Sequence, residues 1–227
     1  MDFDEFAADY SRHVDEAVAF SGQRQDFFLE AKARQLIATL RDRFGAAATL
    51  RVLEIGCGPG LMQRRMHGDG RRVWGIDTSL ALLAEAGRRL GDAPLIAADG
   101  RCAPFADGCF DLVFAVCVLH HMAPKWRPQV VAEMARLTRP GGLVAIWEHN
   151  AWNPLTRRVV AHCPFDRDAV LLSLPETNRL LRQAGLVRTF SLYALFFPWS
   201  GRGWRRAERL LSWLPLGAQF AAFGERP

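Results

Sequence analysis

The stretch Val52-Leu53-Glu54-Ile55-Gly56-Cys57-Gly58-Pro59-Gly60 constrains this chain more than any other. An apolar run of strand length enters three alternating glycines, and glycine alone turns tightly there without steric cost. A helical stretch follows from about Leu61. Strand, glycine turn and helix open a nucleotide- or nucleoside-binding α/β unit, in which the backbone approaches a ligand and the N–H groups of the helix start face it. On its own, the turn also reads as a plain tight connection. A dinucleotide fingerprint, Gly-x-Gly-x-x-Gly, would put its last glycine at Leu61; Gly60 comes one residue early, which disfavours a pyrophosphate cradle.

From Leu50 onward, short apolar runs alternate with turns and helical stretches, the mark of a parallel sheet. They predict strands over 50–55, 72–76, 94–97, 110–116, 143–147, 188–197 and 217–223. Helices are predicted from about 61 and over 80–90, 129–137 and 177–184, with Pro140-Gly141-Gly142 breaking the chain before the fifth strand. The unbroken apolar run 110–116 suits a central strand buried on both faces. Ahead of the sheet, Phe27, Phe28, Ala31, Gln35, Leu36 and Leu40 recur at helical spacing and predict a helix over 25–43.

Two carboxylates then fall at strand ends. Asp77 ends the second strand about 20 residues after the glycines, where an acidic side chain accepts hydrogen bonds from both ribose hydroxyls. It could instead cap the next helix, although Ser79 is also available for that. Asp99 follows the third strand, placed to face an exocyclic amine.

These blocks together resemble the class I S-adenosylmethionine-dependent methyltransferases, particularly the small members related to the ubiquinone and menaquinone C-methyltransferases. The likeness covers roughly residues 50–150 and rests on segments 52–60, 74–78, 98–118 (with Pro104-Phe105-Ala106-Asp107-Gly108-Cys109-Phe110-Asp111) and 137–146 (with Arg139-Pro140-Gly141-Gly142). It implies a Rossmann-like, doubly wound, mostly parallel seven-stranded sheet with an antiparallel last strand. The resemblance places the cofactor's methionine part along Glu54, Gly56, Cys57, Gly58 and Gly60, and its ribose at Asp77. Thr78 would flank the adenine, Asp99 and Gly100 would bind its edge, and the backbone near Cys117 would meet the amino group. A single domain is expected: a helical lid over 1–48, the cofactor core over 49–150 and a substrate-side part over 151–227.

Methyl transfer needs in-line attack on a sulfonium, so positioning is most of the catalysis. A general base helps for some acceptors, and His149, His120 and His121 are the candidates. His149 ends the fifth strand beside Asn150, where side chains reach substrate in open α/β sheets. Tyr10, in the lid, either meets substrate or cofactor or packs its ring against the body of the protein. His162 and Cys163 are adjacent, which is poor chelating spacing, and no metal is expected.

Half of the 227 residues are apolar and 23% are charged, which excludes disorder. The net charge of +5 is uneven: residues 1–150 sum to −1 and residues 151–227 to +6. Within the basic part, residues 198–215 form an insertion in which Trp204, Ala207, Leu211 and Leu214 share a helical face and Arg202, Arg205, Arg206 and Arg209 lie largely away from it. Such a helix rests on an anionic membrane, covers a hydrophobic substrate, or packs against its own domain. The surplus charge also raises a nucleic-acid methyltransferase, but it is too small for a long phosphate track and no base-flipping motif follows the fourth strand. A non-catalytic cofactor-fold module is a third option, disfavoured by the intact Gly56, Gly58, Gly60, Asp77 and Asp99. The expected partner is therefore a small or lipid-like molecule, with no nucleic acid. An acidic start, apolar runs of about ten residues at most, and five cysteines without a Cys-x-x-Cys pair predict a cytoplasmic protein.

Overall fold

Each apolar run becomes a strand of one seven-stranded sheet: β1 (Leu50–Ile55), β2 (Arg71–Asp77), β3 (Leu95–Ala97), β4 (Phe110–Val116), β5 (Thr138–His149), β6 (Val187–Ala194) and β7 (Gln219–Glu225). The computed structural model describes residues 3–46, 48–68, 71–199 and 201–227. Met1 and Asp2 of the acidic start, Ala47 of the predicted lid and Ser200 of the predicted insertion lie outside the described residues, as do Asp69 and Gly70. The strand order is β3-β2-β1-β4-β5-β7-β6; β1 to β5 run parallel, and β7 runs antiparallel to both β5 and β6. The expected fold class holds.

The helices are α1 (Tyr10–Val18), α2 (Gln25–Phe44), α3 (Leu61–Met66), α4 (Leu80–Leu90), α5 (Arg127–Leu137), α6 (Pro154–His162), α7 (Leu174–Gln183) and α8 (Arg202–Leu211). Strand side chains alternate between two apolar layers. Leu112 and Phe114 of β4 join Leu29, Leu36 and Leu40 of α2 on one side, while Val113 and Ala115 join Val130 and Met134 of α5 and Leu181 of α7 on the other. Both faces of β4 are thereby buried, as its unbroken apolar run requires.

Four boundaries differ from expectation for identifiable reasons. Pro140-Gly141-Gly142 does not end the chain's pairing; it bulges inside β5 opposite Asp111, with Gly141 at φ +73°. β6 stops at Ala194 because Leu195 takes φ +62°. α7 starts at Leu174, where Ser173 accepts the N–H of Glu176 at 3.3 Å. The unforeseen α6 starts where Asn153 accepts the N–H of Thr156 at 3.0 Å and Pro154 fills the first turn, a start signal legible in Asn153-Pro154.

β1 has β2 on one side and β4 on the other, so the connections diverge between β1 and β4. Ligands of open α/β sheets bind at the strand ends beside that divergence. Residues Gly56, Asp77, Asp99, Cys117 and His149 all lie at or just beyond those ends.

Candidate active site

At the divergence, the loop after β1 passes the loop after β4 so closely that a Cβ on Gly56 would lie 2.6 Å from Val118 Cγ2, and Gly56 takes φ +68°. Only glycine meets both demands. The loop is braced from within. Gly56 and Cys57 donate to Ile76 O at 2.8 and 3.0 Å, Gly58 donates to Asp77 Oδ2 at 2.8 Å, and Gly60 donates to Cys57 O at 3.0 Å. The loop's own N–H groups are thus spent within the protein, and the loop offers a ligand shape rather than donors.

One cavity of about 830 Å³ is lined by Glu54, Gly56, Cys57, Gly58, Asp77, Thr78, Asp99, Gly100 and Cys117. Gly60 is a correction; a Cβ there would meet Leu90 Cδ1 at 2.5 Å, so it packs the loop onto α4 instead of lining the cavity. Asn150 is another. It is fully buried and spends its amide on Pro215 O and Gly217 O at 3.0 and 2.8 Å, away from the cavity.

Asp77 Oδ1 accepts the N–H of Ser79 at 2.9 Å, and Ser79 Oγ caps α4 through the N–H of Leu82 at 3.1 Å. Capping thus falls to Ser79, and Asp77 faces the cavity. The Asp99 carboxylate is gripped by Arg101, whose Nε and Nη2 stand 2.9 and 2.6 Å from Oδ2, while the guanidinium lies 4.7 Å above the Trp126 ring. Hydrogen bonding to Arg101 holds Asp99 below the usual carboxylate range.

Glu54 is buried with Oε2 unpartnered among the described residues, and burial, then the Asp77 charge, push its carboxyl well above the ordinary value. Across the cavity, α2 contributes Lys32, also buried, whose Nζ donates to Cys117 Sγ at 3.3 Å. Cys117 itself takes φ +57°, and its N–H is spent on Trp147 O at 2.7 Å. Sequence reasoning missed Lys32. Its signal was a charge three residues after Leu29 and four before Leu36, on the apolar face of the helix.

The three histidines gather in the same cavity with Asp166, a residue no motif singled out. Glu148 accepts the N–H groups of Val118 and Leu119 at 3.0 and 2.7 Å, and His120 Nδ1 stands 2.6 Å from its other oxygen. Burial opposes charge on His120, but the Glu148 and Asp166 carboxylates outweigh it and push His120 up to about 10. Burial and the neighbouring His120 hold His121 down to about 3 and His149 down to about 4. His149 Nδ1 lies 3.2 Å from Gln219 Nε2, and Gln219 Oε1 accepts from Trp147 Nε1 at 2.8 Å. That chain orients the amide so that Gln219 donates to Nδ1, which leaves the proton of neutral His149 on Nε2. His149 is therefore set as a donor rather than as the expected base.

The N-terminal segment closes over these groups. Tyr10 stacks on Phe165 at 4.9 Å and 7°, Phe3 meets His121 edge-on at 4.9 Å, and Ser79 Oγ donates to Asp4 Oδ1 at 2.5 Å. Tyr10 thus packs its ring against the body of the protein and also lines the cavity.

Residues 53–146 match the family described as a methyltransferase domain. The chain is 37% identical over 119 residues to the demethylmenaquinone methyltransferase of Beutenbergia cavernae, covering 52% of this chain and 48% of that one. It is 31% identical over 159 residues to the malonyl-[acyl-carrier protein] O-methyltransferase of Pseudescherichia vulneris, covering 64% and 61%. The matches thus span about half to three-fifths of these relatives' own length. In three dimensions a possible histamine N-methyltransferase from Thermotoga maritima superposes with TM-score 0.70 at 18% identity, over 99% of this chain and 98% of that one. Haemonchus contortus phosphoethanolamine N-methyltransferase 2 in complex with S-adenosyl-L-methionine superposes with TM-score 0.64 at 17% identity, over 100% and 60%. Residues 53–146 of this chain are thus similar to a methyltransferase domain, and the whole sheet shares the fold of these solved structures.

Proposed function

We propose that the protein transfers a methyl group from S-adenosylmethionine to a small, largely apolar acceptor. One observation carries this reading: the cavity lining combines two chemically different sets of residues. It presents Glu54, Asp77 and Asp99 from the strand ends and Lys32 from α2, and beside these the apolar Phe28, Leu155, Val159, Phe196, Phe197 and Leu216.

The polar set fits the cofactor by its chemistry. Buried Glu54 with an unpartnered oxygen suits an ammonium group, and buried Lys32 suits a carboxylate, the two charges of an amino acid. Asp77 would hold the ribose hydroxyls, with Thr78, Asp99 and Gly100 along the base. When bound, the cofactor supplies a methyl group on a sulfonium. The chain's own residues orient the two reactants and exclude water: Tyr10, Phe3 and Phe165 roof the cavity, and the His149 Nε2 proton is available to fix an acceptor oxygen.

The relatives' names give a demethylmenaquinone and a malonyl group on acyl-carrier protein as acceptors. The aromatic and aliphatic part of the lining favours an acceptor of the first, lipid-like kind. Near the lining residues Phe197 and Leu216 in the chain, Trp199, Leu210 and Trp213 stand exposed, together with Arg202, Arg205, Arg206 and Arg209. This surface supports peripheral contact with an anionic membrane carrying the acceptor. Among the described residues no helix is long and apolar enough to cross one.

The decisive experiment offers methyl-labelled S-adenosylmethionine to a cell lysate separated into lipid, small-molecule, protein and nucleic-acid pools. Label is expected in the lipid pool. Label confined to nucleic acid or protein overturns the acceptor class, and no cofactor binding by calorimetry overturns the reading as a whole.

A further inference from the structure

We propose that His120 Nε2, His121 Nε2 and Asp166 Oδ1 form a site for one divalent first-row transition ion, with a remaining coordination position open to the cavity. Asp166 Oδ1 lies 3.4 Å from His120 Nε2 and 3.3 Å from His121 Nε2, and the three atoms fall within 4.8 Å of one another. In a tetrahedral site with bonds of about 2.0–2.1 Å, ligand atoms stand roughly 3.3 Å apart. Two of the three separations already have about that value, and the third, between the two rings, lies within 4.8 Å and closes on an ion.

The second observation is polar accounting. His120 Nε2 and Asp166 Oδ1 are both buried, on residues only 1% and 7% exposed, and face each other at 3.4 Å as an ion pair without a well-formed hydrogen bond. Buried polar atoms are almost always paired, and a shared cation would satisfy both together. The surroundings also prepare the ligands. Glu148 engages His120 Nδ1, so an ion that displaces the Nε2 proton finds that nitrogen as its ligand, and Glu148 is itself held by two backbone N–H groups. Asp166 is presented by a turn whose N–H returns to Cys163 O at 3.1 Å, and the same segment is tied to His120 O by the N–H of Val170 at 2.9 Å.

Two imidazoles with one carboxylate select zinc, iron, cobalt or nickel over magnesium or calcium. All three residues line the cavity, so the open position would take an oxygen of the acceptor, a hydroxyl, enol or carboxylate. That acceptor role rests on the methyl-transfer reading; the binding of the ion does not. The sequence predicted no metal because His162 and Cys163 are poorly spaced, whereas the third ligand comes from Asp166, distant in the chain from the histidine pair.

The test is a titration of the chelator-treated full chain with Co²⁺, without cofactor or acceptor. One equivalent is expected to bind, with the visible bands of a four- or five-coordinate ion, and Zn²⁺ is expected to displace it. His121→Ala and Asp166→Asn should each weaken binding at least 100-fold. Glu148→Gln should weaken it roughly 10–100-fold. His162→Ala, at an exposed histidine elsewhere, should bind as wild type; circular dichroism confirms that each variant is folded. Failure of the wild type to take up Co²⁺ overturns the site, as does binding that survives in both His121→Ala and Asp166→Asn or is lost in His162→Ala. Binding without methyl transfer leaves the site standing and removes its role toward the acceptor.

Discussion

Lys32 Nζ lies 3.3 Å from Cys117 Sγ, so a buried ammonium of α2 meets a thiol at the end of β4. Burial holds that thiol above its usual range despite the lysine, so it is a neutral, weak acceptor. A buried charge satisfied this poorly is costly unless something else pairs with it. The pairing group we infer is the carboxylate of the cofactor. Lys32→Met should therefore fold with unchanged or higher melting temperature, yet bind S-adenosylmethionine about 10–100-fold more weakly, the range that a hydrogen bond to a charged group of about 1.5–3 kcal/mol gives. Decarboxylated S-adenosylmethionine discriminates: calorimetry should show wild type and variant binding it equally, and an equal loss for both ligands would place Lys32 in a purely structural role.

Glu54 predicts a pH dependence. Its carboxyl sits well above the ordinary value in the ligand-free protein because of burial and Asp77, and an ammonium beside it would favour the charged form. Binding should then release a proton, so affinity rises with pH until it passes the raised value of the free protein and then levels off. For folding the sign is the reverse. A raised acid contributes stability that is present below its unfolded value, about 4.3, and lost as pH climbs through the folded value. Glu54→Gln should flatten both profiles, raising the melting temperature at neutral pH while weakening cofactor binding. Calorimetry in buffers of different ionisation enthalpy reads the proton directly, and uptake instead of release would contradict the assignment.

What the sequence could and could not reveal follows from the range of the forces involved. β4 was legible because an unbroken apolar run suits a strand covered on both faces, and Gly56, Asp77 and Asp99 were legible because strand ends and turn residues are local features. Lys32, Asp166 and the use of Asn150 are not local. Lys32 becomes a cavity residue only when α2 lies on the sheet, and Asp166 meets His120 only because the turn after α6 folds back over the end of β4. Asn150 looked like a substrate ligand from its place after β5, but the returning chain at 215–217 needed its amide. Gly60 was misplaced because its motif position gave no hint that Leu90 stands behind it.

Gly56 allows a packing prediction. Alanine there would face both φ +68° and a Val118 methyl 2.6 Å away. The left-handed conformation and the overpacking together should cost about 2–4 kcal/mol. For a domain of this size that is a melting temperature lower by roughly 4–16 °C. Gly56→Ala combined with Val118→Ala relieves the clash but keeps the backbone strain, so about half the loss should return. Complete recovery in thermal melts would show that the backbone conformation contributes nothing.

The helix α8 tests membrane contact apart from chemistry. None of its residues is buried, and its hold on the body is specific: Glu208 Oε1 accepts the N–H groups of Phe196 and Phe197 at 2.9 and 3.3 Å, while Trp204 packs on Phe197 and Trp199 at 4.9 and 4.8 Å. Ala207, Leu211 and Leu214 of the predicted face are half-buried. Leu210 and Trp213 are not part of that hold; they are 69% and 74% exposed. Replacing both with serine should leave folding stability within about 0.5 kcal/mol, as for surface sites generally. If these residues enter a membrane interface, the same variant should lose at least tenfold in sedimentation with vesicles containing anionic lipid. Wild-type binding should also fall as salt rises, since exposed arginines act over a Debye length of about 10 Å at 0.1 M. Neutral phosphatidylcholine vesicles supply only the apolar part and should retain little protein. Equal sedimentation of wild type and variant with anionic vesicles would leave Leu210 and Trp213 with no membrane role.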